Sequence, residues 1–416
     1  METRKLYYED CHLAEFSAQV LSCQQREKGW DIVLTATAFY PEGGGQASDV
    51  GTIDGVRVLH TREEGEAVVH LCDGPLEVSS TVTGAIDYEA RFLRMQQHTG
   101  EHIVSGIICG KYGYHNVGFH MGNESITIDF DGVIPAADLP AIEGEANRAV
   151  WQNLTVHCWV PSPEELPGVF YRIKRALPWP VRIVEVPGFD SCACCGVHVA
   201  RTGEVGLIKL LSAIPFKGGT RMEMACGKQA MDILNRVFDQ NRQVSQAFSA
   251  QITETGEAAR RMNETLSQLK YRIAILEKQI FVSIAQGYEN KGDVLHFGEN
   301  LDSTGIRELA DAIADTCGGT AAVFSGADGE GYGYCLVTRS GDLRAFGKEM
   351  NGALNGRGGG KPICIQGRVQ ASKAEIEAFL RNKQNGRVSS PPVNYYLCAE
   401  GTKASPGGKL SKISDF

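Results

Sequence analysis

Two short clusters of metal-ligating residue types, about a hundred residues apart, are the strongest restriction on how this 416-residue chain folds. The first is His98-Thr99-Gly100-Glu101-His102. Two histidines four apart in a helical segment project from one face and can grip one cation. The second is Cys194-Cys195-Gly196-Val197-His198, which offers a thiolate and a third imidazole from a loop entering a strand. A histidine pair alone is commonly no more than two residues on a helix face. The second cluster completes a Cys-His₃ set, provided the fold brings helix and loop together. Nitrogen and sulfur donors in a tetrahedral arrangement suit Zn²⁺ better than the harder Mg²⁺ or Ca²⁺. Spacing leaves open which of Cys192, Cys194 and Cys195 supplies the thiolate.

With 43% hydrophobic and 22% charged residues, the chain has the make-up of a globular protein of two to four domains, not a disordered or collagen-like one. The 41 basic and 50 acidic side chains leave a net charge of −9, so a polyanionic partner must be met by a local basic patch. Thirteen scattered cysteines, an odd count, point to reduced thiols. The first residues lack the apolar run of a signal peptide, and no stretch is apolar enough to span a bilayer. The expectation is a soluble, cytoplasmic protein with no membrane partner.

The expected fold class is α+β. Residues 1–90 alternate β-rich runs (32–34, 56–59, 67–71 and 79–83) with Gly- and Asp-rich turns, the pattern of a small N-terminal β-barrel. Residues 91–227 carry both ligand clusters and read as helices, at 88–111 and 139–153, on a mostly antiparallel sheet. Residues 228–288 are helical, with a weak break near Thr255-Gly256. In the second half, Met262, Leu266, Leu269, Ile273, Leu276 and Ile280 step by fours and threes as a heptad seam does. This coiled-coil segment either pairs with a second copy or folds back on its own first half. Residues 289–387 return to a strand–helix–strand pattern, a C-terminal α/β domain, and 388–416 read as an extended tail.

A third motif is Thr37-Ala38-Phe39-Tyr40-Pro41-Glu42-Gly43-Gly44-Gly45-Gln46. Taken alone it is a hairpin turn, in which glycines let backbone approach a ligand and Gln46 can both donate and accept hydrogen bonds. This stretch resembles the glycine-rich motif of the editing domain of alanyl-tRNA synthetase and of the AlaX trans-editing proteins. His98-Thr99-Gly100-Glu101-His102 is similar to the same family's HxxxH, and Cys194-Cys195-Gly196-Val197-His198-Val199 to its Cys-Gly-Gly-Thr-His-Val. Thr202-Gly203-Glu204-Val205-Gly206 then resembles its Thr-Gly-Glu-Ile-Gly. Cys195, Val197 and Glu101 depart from the residues usual at those positions. Gly352-Ala353-Leu354-Asn355-Gly356-Arg357-Gly358-Gly359-Gly360-Lys361-Pro362 resembles the signature of the DHH-associated domain. About thirty residues precede Thr37, too few for an aminoacylation domain, so the resemblance points to a long-form AlaX protein and not a synthetase.

The resemblance implies a zinc-dependent deacylase that hydrolyses the ester of tRNA(Ala) mischarged with serine, and by extension with glycine. It assigns the metal to His98, His102, Cys194 and His198, with Cys194 favoured because it lies four before His198. Thr37, Gly43, Gly44, Gly45 and Gln46 are implied to line the substrate pocket, and Thr37, Gln46 and Glu101 to serve the reaction. A filled Cys-His₃ set leaves two roles open for zinc, activating water or anchoring substrate. For tRNA contact, residues 357–416 hold ten Lys or Arg against four acids, and Arg357, Lys361 and Arg368 are the candidates. A second basic group comprises Arg172, Lys174, Arg175 and Arg182. Two other readings compete. His98-x-x-Glu101-His102 is also the inverted zinc-peptidase string, which needs a carboxylate ligand downstream. An RNA-binding module with a structural zinc would likewise use a filled site.

Overall fold

A computed structural model describes residues 2–122, 124–173 and 180–385. The tail expected at 388–416, and Lys174 and Arg175 of the basic group, lie outside these residues. The chain divides into two compact units, residues 1–252 and 253–416.

The first unit opens with β1 (Arg4–Lys5), β2 (Glu15–Arg26), β3 (Gly29–Leu34), β4 (Ala36–Thr37), β5 (Gly51–Ile53), β6 (Val56–Glu64), β7 (Ala67–Cys72) and β8 (Thr81–Ile86). Six of them close into a barrel in the order β2-β3-β7-β6-β5-β8. Alternation directs Phe16, Ala18 and Val20 of β2 inward and Glu15, Ser17 and Gln19 outward. They meet Ile32, Leu34, Phe39, Ile53, Val58 and Val82 in one core. Register shifts at Val20/Ser22 and Val58/His60 supply the bends that closure requires.

The barrel runs into α1 (Tyr88–Tyr112), capped by the Asp87 side chain accepting from the Ala90 N–H and ended by Gly113 in the left-handed conformation. Then follow β9 (Asn116–Met121), β10 (Ile126–Phe130), α2 (Leu139–Gln152), β11 (His157–Trp159), β12 (Ile183–Val186), β13 (Asp190–Ala193), β14 (Ile208–Phe216), β15 (Gly219–Cys226) and α3 (Gly227–Phe248). A four-stranded antiparallel sheet, β14-β15-β10-β9, backs α1 and α2, while β11-β12-β13 form a smaller one. The core between them includes Met95, Ile103, Ile107, Ile128, Val150 and Met224. Helix α1 is buried almost throughout from Met95 to Ile108, so its two histidines sit inside the protein.

Helix α3 stops earlier than the pattern implied. Ser249 takes φ 48°, and the chain turns where Ser245 Oγ donates to the Ala250 carbonyl and Asn241 Nδ2 to that of Ile252.

The second unit begins with α4 (Thr255–Gln286), followed by β16 (Gly292–Gly298), α5 (Ser303–Cys317), β17 (Gly318–Ala327), β18 (Gly331–Thr338), α6 (Arg344–Ala353), β19 (Gly356–Lys361), β20 (Cys364–Val369) and α7 (Lys373–Asn385). Its sheet, β16-β17-β18-β20-β19, has one parallel pair around α5 and antiparallel neighbours elsewhere. Strand alternation divides its side chains between two cores. Val294, Ala321, Val323, Cys335 and Val337 join α5 and the end of α4. Leu295, Ala322, Phe324, Tyr334 and Leu336 join α6 and α7. The glycine-rich signature forms the edge strand β19. Along α4, Met262, Leu266, Leu269, Ile273, Leu276 and Ile280 are 48% to 56% exposed.

Candidate metal centre

The two clusters meet. His98 and His102 on α1, and Cys194 and His198 from the loop after β13, are buried with their four donor atoms all within 4.8 Å of one another. The loop leaves a strand and does not enter one, because β13 ends at Ala193. Cys194 Sγ lies 3.4 Å from His98 Nε2 and 3.5 Å from His198 Nε2. Of the three neighbouring cysteines, Cys194 is the one placed with all three imidazoles. Gly196 makes the approach possible: a Cβ there would stand 2.2 Å from the His98 ring.

Each imidazole is oriented from behind through Nδ1. For His98 the partner is Gln46 Oε1 at 3.0 Å, an atom that also accepts from the Val197 N–H at 3.2 Å. For His198 it is Thr99 Oγ1 at 3.2 Å, which accepts from the Val199 N–H as well. For His102 it is Asp190 Oδ2 at 3.0 Å. Gln46 Oε1 and Asp190 Oδ2 can only accept, so Nδ1 donates in His98 and His102 and their Nε2 atoms are left for the centre; the Thr99 hydroxyl fixes the His198 ring from the same side, the arrangement found behind metal-bound histidines. Burial opposes charge on the Cys194 thiol, yet His98 and His102 beside it hold it well below the ordinary thiol range. Burial also opposes charge on His102, but Cys194 and the Asp190 hydrogen bond hold it well above the usual value. Burial and the other imidazoles lower His198.

The glycine-rich loop is part of the same construction. Gly44 and Gly45 take φ of 60° and 84°, and Gly43 and Gln46 exchange backbone hydrogen bonds across the turn. Phe119 stacks on His98 with ring centroids 5.4 Å apart and lies against Gly45. The loop is tied to α1 by a fully buried ion pair, in which Arg91 Nε donates to Asp49 Oδ2 at 2.7 Å and Arg91 Nη2 to the Ala38 carbonyl at 2.6 Å. Gln46 Nε2 is buried with no hydrogen-bond partner among the described residues.

Thr37 and Glu101 sit differently. The Thr37 hydroxyl is 2.8 Å from His70 Nε2 and accepts from the Phe39 N–H at 3.1 Å. His70 Nδ1 faces the Ile32 carbonyl at 3.0 Å, so its Nε2 is the acceptor and Thr37 the donor. Glu101 is buried, accepting from Ser105 Oγ at 2.6 Å and from Asn116 Nδ2. No carboxylate stands among the four convergent ligands, which disfavours the peptidase reading.

Reading the sequence alone missed the oriented partners Thr99 and Asp190, and it misassigned two arginines. Arg172, counted as part of a basic patch, is clamped to Asp190, with Nε 2.6 Å from Oδ1 and Nη2 2.9 Å from Oδ2. Arg182 donates to the carbonyls of Cys194 and Gly196 at 3.0 and 2.9 Å and lies over the Tyr8 ring. Both brace the ligand loop. Asp190, two residues before Cys192 in a cysteine-rich stretch, was the available signal.

In the second unit, Arg344, Lys348 and Asn351 of α6 and Gly356 to Gly360 of β19 line a groove of about 530 Å³. Arg357 lines it and Lys361 follows it on an exposed strand. Arg368, directly across from Arg357, donates to the Glu330 carbonyl at 2.7 Å.

Three family descriptions match the chain in order: "tRNA synthetases class II (A)" at residues 2–90, "Threonyl and Alanyl tRNA synthetase second additional domain" at 181–225, and "DHHA1 domain" at 278–384. Alanyl-tRNA editing protein Aarsd1 of Danio rerio is 26% identical over 397 residues, covering 90% of this chain and 96% of its own. Aarsd1-B of Xenopus laevis is 27% identical over 395 residues, covering 89% and 96%. Alanine–tRNA ligase of Thermofilum pendens is 32% identical over 395 residues, but these make up only 43% of that larger protein. No helix among the described residues is long and apolar enough to cross a membrane. Over about nine-tenths of its length the chain is a homologue of the alanyl-tRNA editing proteins, and it carries the three matched descriptions in the order given above.

Proposed function

We propose that the protein is a zinc-dependent aminoacyl-tRNA deacylase that removes serine from mischarged tRNA(Ala), with glycine as the second substrate. The observation that carries this reading is the convergence of three Nε2 atoms and one thiolate, each imidazole held at Nδ1 by its own partner. A tetrahedron with Zn–N near 2.0 Å and Zn–S near 2.3 Å has N···S edges of about 3.5 Å. The Cys194 separations of 3.4 and 3.5 Å match that edge. When bound, the zinc supplies positive charge that favours negative charge developing on an ester oxygen.

The chain's own residues do the rest. The Gly43–Gly45 backbone lets the 3′ end approach Gln46 closely, and the uncommitted Gln46 Nε2 donates to an oxygen of the bound aminoacyl group. Thr37 retains one acceptor lone pair, suited to a seryl hydroxyl, after donating to His70 and accepting from Phe39. Alanine has no hydroxyl to offer, and a hydrogen-bonding pocket discriminates strongly on that basis. Glu101 sits beside His102 and holds Ser105 and Asn116 in place. The basic groove at Arg357 and Lys361, with Arg368 beside it, takes the tRNA backbone, and the exposed seam of α4 pairs with a second copy of the chain.

The test is incubation with Ser-tRNA(Ala), Gly-tRNA(Ala) and Ala-tRNA(Ala), with and without a chelator. Release of serine that spares alanine and stops on chelation supports the reading. Unchanged release after complete zinc removal would overturn it in favour of a structural metal.

A further inference from the structure

Asp190 faces His102 from behind and is itself backed by Arg172. Asp190 begins β13, four residues before the ligand Cys194. Its carboxylate is fully committed, with Oδ2 shared between His102 Nδ1 at 3.0 Å and Arg172 Nη2 at 2.9 Å, and Oδ1 taken by Arg172 Nε at 2.6 Å. The side chains are 1% exposed for Asp190 and 10% for Arg172, so water competes little with either bond. Arg172 is itself fixed by the backbone, its N–H donating to the Ser191 carbonyl at 2.7 Å and its carbonyl accepting from the Ala193 N–H at 2.9 Å. On α1, one turn beyond His102, Gly106 makes room: a Cβ there would come within 2.7 Å of the Asp190 Cβ and 2.3 Å of the Phe189 carbonyl oxygen.

His102, Asp190 and Cys192 also form a second group with donor atoms within 4.8 Å of one another. The bidentate clamp argues against a second ion there. A guanidinium already occupies both carboxylate oxygens, and a cation beside it would be repelled.

We infer that Asp190 is a positioning residue for the metal centre, holding His102 as the Nδ1–H tautomer so that Nε2 is the ligand, and that Arg172 is the residue that keeps the Asp190 carboxylate aimed. The inference rests on the zinc reading above and extends it to two residues outside the ligand set. A bidentate arginine fixes the plane of the carboxylate, and that plane fixes the plane of the imidazole. Partners of this kind typically contribute ten- to a hundred-fold in metal affinity.

The experiment is a competition titration of the full chain with zinc against a chromophoric chelator, for wild type, Asp190→Asn, Arg172→Gln and Arg172→Lys. Imidazole nitrogen NMR of the zinc-loaded wild type reads the tautomer directly, without any substitution. The expected results are an Nδ1-bound proton on His102, a ten- to hundred-fold weaker zinc affinity for Asp190→Asn and Arg172→Gln, and partial recovery in Arg172→Lys. Thermal midpoints of the metal-free proteins separate a general loss of folding from a loss at the centre. If wild type binds no zinc, the zinc reading itself fails. If wild type binds zinc but His102 carries its proton on Nε2, or Asp190→Asn binds as tightly as wild type, the positioning role is overturned while the zinc reading stands.

Discussion

The side-chain oxygen of Gln46 lies 3.0 Å from Nδ1 of His98, joining a glycine-rich barrel loop to a helix 52 residues further along. One amide therefore orients a ligand with its oxygen and presents a free donor with its nitrogen. The two functions can be separated. Gln46→Glu keeps an acceptor for His98 but removes the donor; zinc content is expected to persist while deacylation falls about 10²-fold. Gln46→Ala also strands the His98 and Val197 N–H groups, at about 1–3 kcal/mol each, and is expected to lower zinc content as well. Metal analysis beside single-turnover rates checks both, and equal zinc loss in the two variants would contradict the division.

His70 makes the barrel sensitive to acid. Burial lowers its pKa to about 4, while the unfolded chain protonates near the ordinary value of about 6.5. As pH falls through this window the unfolded state takes up a proton that the folded state refuses, so stability is lost on acidification. The loss is about 2 kcal/mol between pH 7 and pH 5. Urea midpoints across that range, compared with those of His70→Gln, measure it; parallel curves for the two proteins would count against it.

The Arg91–Asp49 pair is fully buried, and removing Arg91 leaves the Asp49 carboxylate with only the more distant Arg94, 3.6 Å from Oδ1, and the Tyr40 N–H. Arg91→Met is expected to destabilise the first unit by about 3–5 kcal/mol. Adding Asp49→Asn should recover part of that loss. A denaturation double-mutant cycle tests this, and strictly additive losses would show that the two side chains act independently.

For the groove of the second unit, Arg357→Ala and Lys361→Ala are each expected to weaken tRNA binding for all sequences alike and to reduce the salt slope by about one. Arg368→Ala is expected to do less, because its guanidinium already holds the Glu330 carbonyl. Affinities measured at several salt concentrations decide; a large effect at Arg368 alone would reverse the assignment.

The α4 seam predicts self-association. Leu269→Glu with Leu276→Glu places charges on two seam positions that are 52% and 49% exposed in a single chain. Sedimentation velocity should show a dimer for wild type and a monomer for the variant, with the melting temperature little changed. A monomeric wild type would remove the seam as a docking face.

Much of the local architecture was legible because it depends on near neighbours. The helical pattern located α1 and α2, and turn residues bounded β3, β6 and β7. Strand β2 was harder to read because its far half, Ser22-Cys23-Gln24-Gln25-Arg26, lacks buried alternation. Helix α6 and the pair β19–β20 were hidden by glycines, which carry no hydrophobic pattern at all.

The sequence by itself determined the chemistry of the centre, since donor identity and the four-residue spacings His98–His102 and Cys194–His198 are properties of short segments. Only the tertiary structure decided which cysteine joins them, and which groups stand behind each imidazole. Gln46, Asp190 and Thr99 come to their histidines across 52, 88 and 99 residues. Arg172 and Arg182 changed meaning for the same reason. A positive side chain reads as solvent-facing until the fold sets a buried carboxylate or a pair of carbonyls against it, and in a low-dielectric interior that partner governs where its charge is spent.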